Sequence, residues 1–153
     1  MRYDFESFEA GALPDTVINT IFSQCEFTGR LPNFYNCEFH DCDLTNTKVG
    51  DMVNCKLYAT NLDGADFSRA NLFMTLTHSG SPCSAKNCRW EGIAATFDCR
   101  FLEGLQLDED AAWSIVALAL IPASPAREAI LKAIPRKHRR RLLALLSRPF
   151  RTR

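Results

Sequence analysis

No stretch of the 153 residues is apolar and long enough to cross a bilayer as a helix. The longest apolar run, Ala111 to Ile121, is interrupted by Ser114 and stopped by Pro122. A span needs about 20 such residues, so this run suits a buried helix. The opening residues, MRYDFESFEAGALPD, have no apolar heart like that of a secretory signal. Also missing are the G-x-S-x-G nucleophile elbow, the P-loop and the dinucleotide fingerprint. Net charge is missing as well, because 18 basic and 18 acidic side chains cancel. These absences point to a soluble, cytoplasmic chain of one domain without a familiar catalytic kit.

The zero net charge hides a split. Residues 1–112 carry 17 acids and 8 bases, whereas residues 113–153 carry ten bases and one acid, Glu128. Such asymmetry between halves points to a charged tail with a partner of its own.

What is present is a repeat of five. Residues 55–74 cut into CKLYA, TNLDG, ADFSR and ANLFM. The third residue of each block is large and apolar: Leu57, Leu62, Phe67 and Leu72. The first is small: Cys55, Thr60, Ala65 and Ala70. A period of five fits neither a helix, at about 3.6, nor a strand, at about 2. Within a block, positions one and three are two apart, so in extended backbone they point the same way. A short extended piece and a corner, repeated, winds the chain into a coil with small and large residues alternating inside.

This pattern resembles the pentapeptide repeat family, whose blocks run small, Asp or Asn, Leu or Phe, polar, variable. Asn61, Asp66 and Asn71 supply the second position. The resemblance implies an all-β solenoid, a right-handed quadrilateral β-helix with one block per side and four blocks per coil. Its first and third residues face the interior. Third positions can be followed through Val17, Phe22 and Phe27, then Phe34, Phe39, Leu44 and Val49, then the clean stretch from Leu57. They return at Ala85, Trp90, Thr96 and Phe101, with slips between the runs and a loop at His78 to Pro82. The span corresponds to about four coils at the roughly 4.8 Å spacing of paired strands, a rod of about 20 Å.

Three segments follow. Residues 1–16 lack the repeat and are expected to cap the first coil, since an open coil end exposes unpaired backbone. Residues 17–107 form the β-helix. Residues 108–153 form a C-terminal α-helical segment with a basic tail. Acids at Asp108, Glu109 and Asp110 suit a helix start, and Pro122 ends the first helix. Ser124 and Pro125 begin the next.

Seven cysteines invite a metal or disulfide reading: Cys25, Cys37, Cys42, Cys55, Cys83, Cys88 and Cys99. Each stands two residues before a third-position residue, so all seven fall at the small inward position. Cysteine packs well as a small buried hydrophobe. The odd count argues against a disulfide framework, and no pair has common zinc-site spacing. No metal or other cofactor is expected. His40 follows Phe39 and faces outward, away from Cys37 and Cys42. Glu26, Glu38, Asp43 and Asp66 also face solvent on flat sides, which make no cleft for acid–base work. The chain reads as a non-enzymatic interaction module, a scaffold or adaptor whose protein partner the sequence leaves open.

Three partner readings accompany it. Some members of the resembled family mimic duplex DNA and protect or inhibit DNA gyrase, which implies a type II topoisomerase partner as the alternative. Against it, residues 17–101 carry nine acids and seven bases, while duplex DNA carries about 12 charges over about 20 Å. Mimicry then requires the acids to cluster on one side. The basic stretch Arg136, Lys137, Arg139, Arg140 and Arg141 either clasps the acidic part of the chain or meets phosphate on nucleic acid or an anionic membrane. The resemblance also implies a C-terminal homodimer, for which Trp113, Val116 and Leu120 offer the apolar surface.

Overall fold

The computed structural model describes residues 1–90 and 100–108. These residues form a four-sided parallel β-helix. Strands Arg2–Asp4, Ile21–Ser23, Glu38–His40, Lys56–Tyr58 and Leu76–Thr77 stack in one sheet along the first side. Ser7–Phe8 pairs with Glu26–Phe27 on the second side, and single bridges carry that ladder to Asp43 and Asn61. The third side is a ladder of single bridges, Arg30 to Lys48 to Asp66 to Arg89. On the fourth, Thr16–Ile18 pairs with Asn33–Tyr35, which pairs with Met52–Val53. Every named strand pair is parallel and in register, so equivalent residues form columns along the rod.

The columns explain the five-residue period. Phe22, Phe39 and Leu57 lie in one inward column, with Phe27, Leu44 and Leu62 in the next. All are at most 3% exposed. In the first coils the filling is aromatic. Tyr3, Phe22 and Phe39 stack ring on ring, at 5.5 and 5.2 Å between centroids, and Phe8 stacks on Phe27 at 5.2 Å. Leu57, Leu62 and Leu72 take over further along, and Phe67 then stacks on Trp90 at 4.5 Å. An uninterrupted core of this kind is what holds a solenoid together, since each coil can bury its apolar residues only against its neighbours.

Corners come from the backbone. Among the described residues fourteen have positive φ, and thirteen of them lie two positions after an inward side chain. Asn19, Asn36, Asn46, Asn54 and Asn87 fill five of those corners, in keeping with asparagine's tolerance of the left-handed region. The second position has its own local reason. The side chains of Asp43, Asn61, Asp66 and Asn71 each accept the amide two residues on, at 2.9 to 3.1 Å. Asp and Asn form such bonds readily, and these fix the bend after each short strand.

Slips in the repeat are short sides. Leu31 and Met52 are inward residues that the five-residue spacing misses, at 5% and 0% exposure. They place Leu31 to Phe34 and Val49 to Met52 three residues apart. The chain therefore makes about five turns, not about four. The extra turn comes from residues 1–16, which were expected to lie over the first coil. Instead Arg2–Asp4 and Ser7–Phe8 are strands of that coil, with Phe8 buried and Tyr3 packed on the core. At the other end, Phe101 is buried within a short helix, Arg100–Glu103, rather than on a coil side. Leu105–Leu107 then pairs with Cys83–Ala85. The expected C-terminal helices, with Trp113, Val116, Leu120 and the basic stretch, lie outside the described residues, as do Thr96 and Cys99.

Candidate interaction surfaces

Cys25, Cys37, Cys42, Cys55 and Cys83 are buried, and Cys88 is half-buried. None of these six forms a disulfide. The thiols of Cys25, Cys37, Cys42, Cys55 and Cys88 meet backbone carbonyls, and Cys37 and Cys55 also bond each other. Cys42 Sγ lies 3.4 Å from both the Phe22 and the His40 carbonyl oxygens. Thr60 Oγ1, one coil on in the same column, lies 3.4 and 3.1 Å from the equivalent carbonyls of Phe39 and Tyr58. Cysteine and threonine thus do the same work, donating a hydrogen to a corner carbonyl from a small inward side chain. That donor role is what the sequence reading missed, although threonine at the same block position was a visible signal. Burial pushes the Cys42 and Cys83 thiols up to about 11. Cys55 also moves upward, first through its hydrogen bond with Cys37 and then through burial. A neutral thiol without access to solvent is a poor nucleophile.

Among the described residues, no three His, Cys, Asp or Glu side chains converge as a metal site. His40 points outward, as its place after Phe39 requires. Its ring stacks on Tyr58 at 4.7 Å, and Nε2 lies 3.0 Å from Glu38 Oε2. None of the described helices is long and apolar enough to cross a membrane. A groove of about 470 Å³ opens beside the first coil, where residues 9–15 run as a loop instead of a third-side strand. Phe8, Leu13, Arg30 and Leu31 are among its lining residues.

The sides differ in chemistry. Outward positions of the second side carry Glu9, Glu26, Asp43, Asp63 and Asp108 against one base, Lys86. Asp63 is tied into this face, since its Oδ1 accepts bonds from Ser84 Oγ at 2.7 Å and the Lys86 amide at 2.9 Å. The third side is the basic one, with Arg30, Lys48 and Arg89 in the column of Asp66. Lys48 Nζ bonds the Ser68 carbonyl at 2.8 Å and stands 3.5 Å from Asp66 Oδ2. Burial opposes the charge on Asp66, but bonds from Ser68 and the pull of Lys48 outweigh it and hold this carboxyl below its usual range. The first side is mixed, and the fourth carries almost no charge.

A family model described as pentapeptide repeats (8 copies) matches residues 51–73. No curated protein matches the chain. Among solved structures, the chain is similar to those of QnrB1, a plasmid-mediated fluoroquinolone resistance protein. One trypsin-treated form has a TM-score of 0.29 at 12% identity, covering 80% of this chain and 99% of that chain. The full-length form has a TM-score of 0.23 at 14% identity, covering 76% and 95%.

Proposed function

We propose that this chain, whose residues 51–73 match the pentapeptide-repeat model, is a non-enzymatic interaction module. It engages a macromolecular partner through the sides of its rod and through the basic stretch Arg136 to Arg141. One observation supports this reading above others: charge is sorted by side, acidic on the second and basic on the third. A filled interior leaves the flat sides as the available chemistry, and flat sides suit a large partner better than a small substrate. Sorted charge gives such a partner its orientation.

A second reading, a DNA mimic acting on DNA gyrase or another type II topoisomerase, is favoured by the same clustering. The acids of the second side are the one-sided arrangement that mimicry needs. Five acids against one base still fall well short of duplex density, about 14 charges over the roughly 24 Å this side spans.

Two measurements separate the readings. In a gyrase supercoiling assay, a mimic alters supercoiling, and Glu26→Lys on the exposed second side removes the effect. No effect of the wild-type protein at any concentration sinks the mimic. In titrations with duplex DNA, RNA and anionic vesicles, the basic stretch is expected to give a log–log salt slope near −4 for DNA. Replacing Arg139, Arg140 and Arg141 together cuts that slope by about 3. Absence of binding to all three polyanions at low salt overturns the role of the basic stretch.

A further inference from the structure

The second coil is covered by the first on three of its four sides. Ile21–Ser23 pairs with Arg2–Asp4, Glu26–Phe27 with Ser7–Phe8, and Asn33–Tyr35 with Thr16–Ile18. On the third side residues 9–15 loop away, and no strand of the first coil pairs with Arg30. Further along, each described rung of this side is closed. Lys48 gives its N–H to the Gly29 carbonyl at 3.0 Å and accepts the Leu31 amide at 2.9 Å. Asp66 does the same with Thr47 and Val49, at 2.8 and 2.9 Å, and Arg89 with Ala65 and Phe67, at 3.1 and 2.8 Å. By that pattern the N–H and C=O of Arg30 face the first coil, and among the described residues neither has a partner. The exposed Arg30 guanidinium pairs with no described carboxylate. These groups open into the groove of about 470 Å³, within the range of about 300–1,000 Å³ that bound ligands occupy. Leu13 and Leu31 give it an apolar floor. The Phe8 and Asp15 carbonyls accept the Thr28 and Asn33 amides, so the lining acids Glu9 and Asp15 mark its two ends.

A donor and an acceptor left open on one strand are what the addition of a guest strand uses. The direction of the guest follows from the space. A parallel guest bonds Arg30 through the carbonyl before and the amide after its matching residue, so it needs a full residue beside Gly29. Ala10 already stands there, since a Cβ on Gly29 would fall 2.9 Å from Ala10 Cβ. An antiparallel guest exchanges both bonds through the single residue opposite Arg30. Opposite residues project from the same face, so this guest side chain lies beside the guanidinium. The column shows what suits that place: Asp66 stands between Lys48 and Arg89, with Oδ2 3.5 Å from Lys48 Nζ. The guest residue before it turns inward over Leu13 and Leu31 and is apolar. The one after it meets Ala10 and is glycine. Glu9 and Asp15 at the ends repel any further acid. We propose that the groove takes an extended segment of a protein partner, antiparallel to residues 28–31 and reading apolar, acidic, glycine, with its acidic residue paired to Arg30. The proposal gives the interaction module a partner chemistry, and it rests on that reading only in taking the ligand to be part of a protein.

Calorimetric titration of the whole chain with the end-capped pentapeptide Ser-Leu-Asp-Gly-Ser, up to about 1 mM, tests this. Saturable binding is expected. Replacing the peptide's Asp by Asn weakens it about three- to tenfold. Arg30→Gln weakens binding of the Asp peptide to the same degree and no longer tells the two peptides apart. Arg30 is exposed, and an unchanged thermal midpoint verifies that the variant is folded. Methylating the backbone nitrogen of the peptide's Asp removes the hydrogen given to the Arg30 carbonyl and weakens binding about tenfold or more. Four results overturn the proposal. Wild-type protein fails to bind the Asp peptide; or the methylated peptide binds as well as the parent; or Arg30→Gln still prefers Asp to Asn; or Ser-Glu-Glu-Glu-Ser binds as tightly, as it does when charge alone is read. None of these results moves the supercoiling assay or the salt slope, so this site and the function proposed above fail separately.

Discussion

Cys42 sits between Cys25 and Thr60 in one inward column, and each donates to the carbonyl two residues earlier, of His40, Ser23 and Tyr58 respectively. The site asks for a small side chain with a hydrogen to give. Cys42→Thr is therefore expected to keep stability within about 1 kcal/mol, whereas Cys42→Phe overpacks the column and costs about 1–3 kcal/mol. Urea unfolding of both variants checks this. The neutral thiol also sets a pH dependence. Cys42 and Cys83 stay protonated in the fold up to about 11, above the ordinary thiol value. The stability they contribute is fully present below that ordinary value and is lost as pH rises through it towards 11, since the unfolded chain ionises first. Each shift is worth about 2–3 kcal/mol at the alkaline limit. Stability is thus expected to fall from about pH 9 upward, and less steeply when Cys42 and Cys83 are both threonine. An unchanged profile in the double variant contradicts the assignment.

Five-residue sides end in a left-handed corner, and the fourth-side corner column reads Asn19, Asn36, Asn54, Met74. Asn54 Nδ2 donates to Asn36 Oδ1 at 2.6 Å, which ties the corner of one coil to that of the next. Met74 holds φ of 57° with no such partner in its side chain's chemistry. Met74→Asn is expected to raise stability by about 0.5–1 kcal/mol, from relief of a backbone strain of about 1–2 kcal/mol less the cost of fixing the new side chain. Thermal unfolding decides, and a lower midpoint refutes the strain argument. These elements also mark what was legible in the sequence. The clean blocks from Cys55 to Met74 show the repeat because every side there has five residues. Leu31 and Met52 were illegible because a three-residue side needs no left-handed corner and so leaves no small-Asn-Leu signature. Residues 1–16 read as a cap in the sequence because Tyr3 and Phe8 lack small residues two places earlier: Met1 and Glu6 stand there, on the outermost coil where no neighbour crowds them. The charge of each side was beyond reach of the sequence, since a one-residue slip moves a residue to another column.

At the scale of the molecule the rod separates inside from outside. Inside, aromatic and leucine columns bind coil to coil. Outside, the second side is acidic, the third basic and the fourth nearly without charge. The free edge of the first coil, Arg2–Asp4, Ser7–Phe8 and Thr16–Ile18, is short and rimmed by Arg2, Asp4, Glu6 and Glu9. Short, charged edges resist pairing with stray strands, which leaves the sides as the surfaces for partners.

That separation predicts how the thiols behave, and their reaction with a thiol reagent at neutral pH is its most direct test. The chain has seven cysteines, and the structure buries five and half-buries a sixth, Cys88. Native protein is expected to label slowly, with Cys25, Cys37, Cys42, Cys55 and Cys83 protected, while denatured protein reacts at all seven. Rapid labelling of three or more thiols in native protein contradicts the register, and with it the assignment of every outward side chain to its side.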